Sequence, residues 1–169
     1  QDDLHAEHVF VIDPIDGTMN FVKNFNHSCI SIGYLHNGVP TAVAVYDPYM
    51  DEMFSAIKGE GAWLNGTPIH AAETPLSENV FSMGTSPYIP ENTDESFRLA
   101  RIAYDASLDL RRGASAELDL AYVAAGRSGL FYELSLSFWD YAAGMLLVEE
   151  AGGKCTSLDF SPLPLDGRK

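Results

Sequence analysis

The residues of this chain with the most suggestive chemistry are two carboxylates in the segment Asp13–Thr18, which reads DPIDGT. Asp13 and Asp16 follow directly after the apolar run Val9–Ile12. The proline after Asp13 disfavours helical backbone there, so this aspartate should stay extended at a strand end. The glycine permits a sharp turn, and the helical turn that follows would present unpaired N–H groups to an anion. Such a set of carboxylates, carbonyl, hydroxyl and amides is typical of a Mg²⁺ site that holds a phosphate.

The same segment has a second interpretation. Asp-Pro and Asp-Gly are ordinary turn dipeptides, in which each aspartate bonds its own backbone. The spacing leaves this interpretation open beside the metal site. If a metal binds, oxygen-only ligands favour a hard cation over zinc, which would call for His or Cys.

A second acidic position lies near the end of the chain, in the segment Trp139–Gly144 (WDYAAG). Ser137 and Asp140 have the spacing of a capping box, which would place the acid in the first turn of a helix. The small residues after Asp140 would let that helix lie close against another element and bring the carboxylate toward a shared site. The sequence leaves helix capping and metal binding both open for Asp140.

The composition is that of an acidic, folded protein. Of the 169 residues, 46% are hydrophobic and 11% aromatic, which suffices for a sizeable core and excludes intrinsic disorder. Lys and Arg number 10 against 24 Asp and Glu, giving a net charge of −14, so we expect no nucleic-acid partner. No apolar run approaches the roughly 20 residues of a membrane-spanning helix, so we expect no membrane partner. Cys29 and Cys155 lack the spacing of a disulfide framework, which predicts reduced thiols in the cytoplasm.

Hydrophobic patterning predicts strands in the first half of the chain. The continuous run Val9–Ile12 predicts a buried strand rather than an alternating edge strand. Asn-Gly pairs at 37–38 and 65–66 predict tight hairpins. The other strands are predicted at Cys29–Leu35, Val39–Tyr46, Glu52–Ile57, Ala62–Leu64 and Thr67–Ile69.

The second half of the chain predicts alternating strands and helices. The last helix should begin after Ser137 and stop at Gly152. The strands are predicted at Val80–Gly84, Leu108–Arg111 and Leu130–Leu134, and the helices at Asp94–Ser107, Ser115–Gly126 and Phe138–Glu150. Together the two halves predict an α/β fold with helices layered on sheets, forming one domain over residues 1–169.

Several motifs together resemble the inositol monophosphatase family of Mg²⁺-dependent, lithium-sensitive phosphatases. The two acidic motifs, DPIDGTMNF at 13–21 and WDYAAG at 139–144, occur in the order of that family. Between and after them stand KGEGAWLNG at 58–66, YVAAGR at 122–127 and VEEAGG at 148–153. The resemblance implies a sugar-phosphatase-type α-β-α-β-α sandwich. It also implies hydrolysis of a phosphomonoester by in-line attack of a water that the metal activates.

The resemblance further implies two or three Mg²⁺ ions in the complete enzyme. Asp13 would bridge two ions, and the Ile15 carbonyl would bind the first of them. Asp16 and Asp140 would bind the second ion and also contact substrate. These three carboxylates would therefore be catalytic residues.

The family pattern also assigns substrate-binding residues. Thr18 would orient the attacking water as a further catalytic residue, and the backbone amides of Gly17 and Thr18 would hold the phosphate. The segment Ala114-Ser115-Ala116 would contact the sugar or inositol ring. Glu133 would accept hydrogen bonds from substrate hydroxyls, although its position alone would suggest a solvated carboxylate at a strand end.

Two departures from the family pattern stand out. Ala114 occupies a position where the family has glycine, and its methyl group could crowd a ligand near the backbone. The family also has helices and a metal-binding Gly-Glu-Glu motif before its first acidic motif, whereas 12 residues precede Asp13 here. The turn signal Asp166-Gly167 has no strand to pair after it. We therefore expect part of a longer enzyme, incomplete at both ends.

The expected function is hydrolysis of inositol monophosphate or a similar small phosphorylated polyol or sugar by a cytoplasmic homodimer. Bound cations would reverse the acidic charge locally, so the net charge is no objection to an anionic substrate. Alternatives are a fructose-1,6-bisphosphatase and a nucleotide 3′-phosphatase, although the latter typically has Lys-Glu-Phe where this chain has Met19–Phe21. A non-catalytic core that binds Mg²⁺ and phosphate weakly, and a structural domain whose acids only cap and turn, stay open as well.

The remaining polar and aromatic residues are predicted to be structural. Arg111 and Arg112 are expected to form a solvated pair. The histidines form no ligand pattern with the acids and are expected at surfaces or turns: His5, His8, His27, His36 and His70. Four aromatic residues are expected to fill the core or an interface: Phe131, Tyr132, Phe138 and Trp139.

Overall fold

The computed structural model describes residues 6–165 of the chain. The predicted turn at Asp166-Gly167 and the histidine His5 lie outside these described residues. Most of the first half forms one six-stranded antiparallel sheet whose spatial order follows the chain order. Its strands are β1 (His8–Asp16), β2 (Cys29–His36), β3 (Val39–Asp47), β4 (Glu52–Ile57), β5 (Gly61–Leu64) and β6 (Thr67–Pro68).

Tight turns set the register of this sheet. Asn37 and Gly38 have φ values of +52° and +76°, and Asn65 and Gly66 have values of +48° and +79°. Positive φ at both central residues is the turn geometry that matches the twist of paired strands. Both predicted hairpins are therefore confirmed, although β6 is one residue shorter than expected.

A second, smaller sheet is parallel. It contains β7 (Val80–Met83), β8 (Asp109–Arg111) and β9 (Leu130–Tyr132), with β7 in the middle. Helix α2 (Thr93–Asp105) connects β7 to β8, and α3 (Ala116–Ala124) connects β8 to β9. Because the two crossovers run in opposite directions across the sheet, right-handed connections place the helices on opposite faces.

The main core lies between the two sheets. Helices α3 and α4 (Ala142–Glu150) pack together on one face of the large sheet. Leu118 and Leu147, one from each helix, are fully buried in this core together with Phe54 of the sheet. A second cluster around Phe81 and Ala100 lies between the small sheet and α2. The sequence of layers is sheet, helices, sheet and helix, which confirms the mixed α/β class.

The prediction of a buried strand at Val9–Ile12 is wrong. Side chains of β1 alternate, with Val9 and Val11 against the main core and Phe10 and Ile12 exposed at 66% and 53%. Among residues 6–165, helices cover only one face of the large sheet. A continuous apolar run shows that a strand has two apolar faces, but it does not show what packs on each of them.

The predicted helix over Phe138–Glu150 is interrupted. A 3₁₀ turn covers Phe138–Asp140, Tyr141 leaves helical backbone with a φ of −142°, and α4 starts only at Ala142. Phe138 is buried as expected, whereas Trp139 is half exposed and does not fill the core. The break separates the segment that carries Asp140 from the buried helix behind it.

Within the described part of the chain, no helix has the length and apolar character needed to cross a bilayer. Cys29 and Cys155 are both free thiols, as predicted.

Candidate metal and phosphate site

The two aspartates of the first motif are brought to one side of β1 by a bulge. In a regular strand, residues three apart point to opposite faces. Here Asp13 pairs with Ser31 and Asp16 with Cys29, so β1 has one more residue than β2 between these pairs. An extra residue re-aims the side chains that follow it. The bulge therefore allows both carboxylates to reach the same site.

The loop after the strand is fixed by short local contacts. The Ile15 N–H donates to Asp13 Oδ1 at 3.0 Å, and the Thr18 hydroxyl donates to the Ile15 carbonyl at 2.9 Å. Gly17 has a φ of +83°, and a Cβ there would lie 3.0 Å from the His27 carbonyl. The short helix α1 (Thr18–Val22) begins directly after this glycine. Position 17 thus requires glycine for both conformation and space.

Asp16 is buried and held by α3 and the residue before it. Its Oδ2 accepts the Ser115 hydroxyl at 2.5 Å and the Glu117 N–H at 2.9 Å, and the Cys29 thiol lies at 3.7 Å. Burial raises the pKa of Asp16, and the Asp13 charge adds to this while the hydrogen bonds oppose it. Burial also raises the pKa of the Cys29 thiol.

Asp140 both caps its helical turn and joins the two aspartates of β1. The Ser137 N–H donates to Asp140 Oδ2 at 2.8 Å, which is half of a capping box. One carboxylate oxygen from each of Asp13, Asp16 and Asp140 lies within 4.8 Å of the other two. Burial raises the pKa of Asp140, and the charges of Asp16 and Asp13 raise it further. The two interpretations of Asp140 are therefore compatible.

A cleft of about 570 Å³ opens beside this acidic cluster. Of the residues that line it, Arg112 is the one with a basic side chain. Arg111 and Arg112 are both exposed, as expected for a solvated pair. Arg111 pairs with Asp109, whereas Arg112 donates to Thr85 Oγ1 at 2.8 Å. All predicted substrate-binding residues line the cleft: Asp16, Gly17, Thr18, Ala114, Ser115, Ala116, Glu133 and Asp140.

Glu133 is not a solvated carboxylate at a strand end. Its Oε1 accepts the Ser86 N–H at 2.8 Å and the Ser86 hydroxyl at 2.9 Å. A Cβ on Gly84 would lie 1.7 Å from Glu133 Oε2, so glycine makes room for the carboxylate. Burial raises the pKa of Glu133. The side chain is thus fixed on the wall of the cleft facing the loop after β7.

Ala114 adopts backbone that glycine would favour, with a φ of +63°. The side-chain amide of Asn20 holds this loop, because its Nδ2 donates to the carbonyls of His27 at 2.7 Å and Gly113 at 2.8 Å. Asn20 is buried and ties the first acidic motif to the segment before α3. The backbone of Ala114 is strained at this φ, while the crowding of a ligand by its methyl group stays a prediction.

Two buried acids in α3 were not predicted as site residues. Glu117 is fully buried and accepts the N–H groups of Ala143 at 3.2 Å and Gly144 at 2.6 Å, at the start of α4. Asp119 lines the cleft, and burial raises its pKa to about 7, with the Asp16 and Glu133 charges adding to the shift. The available signal was that both acids interrupt an otherwise apolar helix.

Two of the histidines expected at surfaces or turns are exposed, and they meet an acid that lies outside the two acidic motifs. His8 and His36 lie next to Glu7, with one ligand atom of each within 4.8 Å of the other two. This exposed cluster stands apart from the acidic one, at the opposite end of β1. Sequence spacing did not reveal it because the two histidines are 28 positions apart and meet only through strand pairing.

Comparison with known proteins gives a consistent result. The model of the inositol monophosphatase family matches residues 1–168. A curated relative named Nus factor SuhB, from Xylella fastidiosa, is 42% identical over 146 residues, covering 86% of this chain and 53% of the relative. The solved structure of the inositol monophosphatase from Anabaena (Nostoc) sp. PCC 7120 has a TM-score of 0.91 at 39% identity, covering 98% of this chain and 66% of that one.

A further solved structure is an IMPase/NADP phosphatase complexed with Mg²⁺ and phosphate. Its TM-score is 0.84 at 29% identity, with 96% of this chain and 60% of that chain covered. The present chain spans about half the length of the curated relatives that it matches.

Proposed function

This chain belongs to the inositol monophosphatase family, and we propose that it forms the catalytic core of a Mg²⁺-dependent phosphomonoesterase. The proposed substrate is inositol monophosphate or a similar phosphorylated polyol or sugar. The observation that carries the proposal is the meeting of Asp13, Asp16 and Asp140 beside a cleft that Asp16, Asp140 and Glu133 line. The proposal concerns the whole protein, because this chain spans about half the length of the curated relatives that it matches.

The acidic cluster fits a hard divalent cation. It offers carboxylate oxygens only, which suit Mg²⁺ better than zinc. The raised pKa values of Asp16 and Asp140 arise from burial and from mutual repulsion, both of which a bound cation would offset. When bound, Mg²⁺ would lower the pKa of the attacking water and stabilise charge on the phosphate oxygens.

Thr18 is placed to orient a water molecule. Its hydroxyl proton points to the Ile15 carbonyl, so the lone pairs of Oγ1 stay available to accept a hydrogen bond from water. A hydrogen bond from the Ile15 N–H to Asp13 Oδ1 holds the main chain in this geometry. Threonine at this position would therefore position the nucleophile rather than act as one.

Substrate hydroxyls would bind on the opposite wall. Glu133 is held by Ser86 and would accept hydrogen bonds from a polyol ring, which needs acceptors for its many O–H groups. The segment Ala114–Ala116 lines the same cleft and would contact the ring. Glu133 thereby favours a hydroxyl-rich leaving group over an apolar one.

The decisive test is phosphate release by the whole protein from inositol 1-phosphate as Mg²⁺ is varied. We expect Mg²⁺-dependent release and inhibition by lithium in competition with Mg²⁺. Fructose 1,6-bisphosphate and a nucleotide 3′-phosphate serve as comparison substrates for the two related activities. Release that is independent of Mg²⁺ would contradict the proposal.

Binding can be separated from turnover in the same protein. Trp139 is half exposed and adjoins Asp140, so its fluorescence should report Mg²⁺ titration. A fluorescence change without phosphate release would indicate a non-catalytic Mg²⁺-binding core. The homodimer and the cytoplasmic location stay predictions. The expected lack of a nucleic-acid partner is also a prediction, and curated relatives that carry the name Nus factor are a reason to test it.

A further inference from the structure

A second cluster of possible metal ligands lies at the start of the large sheet. His8 of β1 and His36 of β2 are direct cross-strand partners in the antiparallel pair. Both side chains are exposed on the face of the sheet opposite the main core. Glu7 precedes β1, and its carbonyl accepts the Asn37 N–H at 2.8 Å, which continues the strand pairing to this residue. One hairpin therefore brings three potential ligands together.

Two distances within this cluster are close to those between the ligands of a tetrahedral metal ion. Glu7 Oε1 lies 3.5 Å from His8 Nε2 and 3.6 Å from His36 Nε2. Both separations exceed the usual range of an N–H···O hydrogen bond. Ligand atoms about 2.0–2.1 Å from a tetrahedral zinc ion lie about 3.3 Å from each other. Each imidazole is thus spaced from the carboxylate as two ligands of one small cation would be, and one ligand atom of each residue lies within 4.8 Å of the other two.

A neighbouring hydroxyl orients one of the imidazoles. The Tyr34 hydroxyl lies 2.7 Å from His8 Nδ1, which leaves Nε2 to face the carboxylate. Hydrogen bonding at the other ring nitrogen is the usual way in which a ligating histidine is held. The two histidine rings stack at 5.1 Å between centroids. The Asn37 Nδ2 also lies 3.3 Å from His36 Nε2, and metal binding would displace this contact.

We propose that Glu7, His8 and His36 bind a transition-metal ion of the Zn²⁺ class. Imidazole nitrogens favour zinc and related ions over Mg²⁺, which takes oxygen ligands. Three protein ligands leave the fourth position of a tetrahedral ion to water. The site is independent of the proposed phosphatase reaction and uses none of its residues.

The bound ion would cross-link β1, at the edge of the large sheet, to β2. It would join Glu7 and His8 at the start of β1 to His36 at the end of β2. Asp13 lies five residues further along β1, or about 17 Å at strand spacing. The ion would therefore stabilise the strand that carries the acidic cluster without touching that cluster.

The test is zinc binding by the metal-free whole protein in excess Mg²⁺, which occupies oxygen-only sites. We expect one bound zinc equivalent, and we expect His8→Ala and His36→Ala each to lose it. Tyr34→Phe, which keeps the ring and removes the hydroxyl, should weaken zinc affinity about tenfold. His70→Ala, at an exposed histidine elsewhere, should bind zinc like the unaltered protein.

Cobalt substitution gives a second readout that does not depend on stability. Co²⁺ at the cluster should produce a visible absorption band typical of tetrahedral nitrogen and oxygen ligation, and Asp16→Asn should retain this band. The proposal would be overturned by equal zinc stoichiometry in the unaltered protein and His36→Ala.

Discussion

The two clusters of possible metal ligands at opposite ends of β1 are assembled by different means. Glu7, His8 and His36 meet through one hairpin, whereas Asp13 and Asp16 of the large sheet meet Asp140, which follows the last strand of the small sheet. The hairpin cluster is exposed and rich in nitrogen, and the other is partly buried and contains oxygen ligands only. Local pairing thus suffices for the first cluster, while the second depends on the packing of α3 and α4.

The largest expected effect separates the two clusters by chemistry. Asp16→Asn keeps the side-chain shape but removes one negative ligand from the acidic cluster. Because metal-ion catalysis contributes several kcal/mol and each 1.36 kcal/mol is tenfold, phosphate release should fall about 10³-fold in the whole protein. Zinc binding at the hairpin cluster should be unchanged. Turnover within a few-fold of normal at saturating Mg²⁺ would remove Asp16 from the metal site.

The next effect is the pH dependence of the unfolding free energy. It should arise at the acidic cluster, which, unlike the exposed hairpin cluster, lies among buried acids. Asp119 has a pKa of about 7 in the folded chain against 3.8 ordinarily, so the folded state binds more protons than the unfolded state between these values. The unfolding free energy of metal-free protein should therefore decrease as pH rises from about 4 to 7, by at most about 4 kcal/mol from Asp119.

Denaturant titrations at several pH values measure this effect. Asp119→Asn should reduce the slope, and the buried Asp16 and Glu117, whose pKa values are also raised, should leave a residual slope of the same sign. A slope that Asp119→Asn does not alter would show that Asp119 titrates alike in both states.

A smaller effect tests whether helix packing positions the acidic cluster. Glu117 accepts N–H groups at the start of α4, while its own N–H donates to Asp16. Glu117→Gln replaces one acceptor oxygen by a donor that would oppose those N–H groups. Mg²⁺ affinity should fall about 10- to 100-fold, the usual cost of disturbing residues behind metal ligands. Titration monitored by Trp139 fluorescence measures this change.

The matched control is Glu150, at the end of α4, the helix whose first N–H groups Glu117 accepts. The Glu150 carboxylate also accepts two N–H groups, from Gly59 at 2.8 Å and Gly61 at 3.0 Å. Glu150→Gln should leave Mg²⁺ affinity unchanged because these bonds lie far from the acidic cluster. Equal losses in both variants would mean that Glu117 acts only through general stability.

The smallest effect is on stability at the wall of the cleft. Ala114 has positive φ, which costs an L-residue roughly 1–2 kcal/mol, and Ala114→Gly would remove this strain while gaining freedom in the unfolded chain. The unfolding free energy should rise by about 1 kcal/mol. Ala121→Gly, inside α3, should instead lower it by about 1 kcal/mol or more. Two losses of similar size would show that the Ala114 backbone is not strained.

Much of the fold was predictable because its signals are local. Asn-Gly pairs favour positive φ and so marked both hairpins, and runs rich in residues that favour strands marked the strands around them. The strand at Val9–Ile12 was predicted in the right place but with the wrong environment. What covers each face of a sheet depends on distant elements, and no local pattern encodes it.

The acidic cluster also divides into features that local sequence predicts and features that depend on distant parts of the chain. The residue types of the two acidic motifs predicted oxygen ligation and a capping role for Asp140, since both follow from short spacings. Their roles in catalysis stay predictions. Glu117 and Asp119 were missed as site residues because an acid within an apolar helix signals burial but does not name its partner.

The sequence by itself determined which atoms are available: carboxylates after β1, a carboxylate in a helical first turn and glycines where close approach is needed. Only the tertiary structure decided which of them meet. The bulge between Asp13 and Asp16 reverses the direction that strand periodicity would give, and the packing of α3 against α4 sets where Asp140 lies. His8 and His36 meet through strand register. Residue types fix chemistry locally, whereas proximity across the chain depends on pairing and packing that short spacings do not contain.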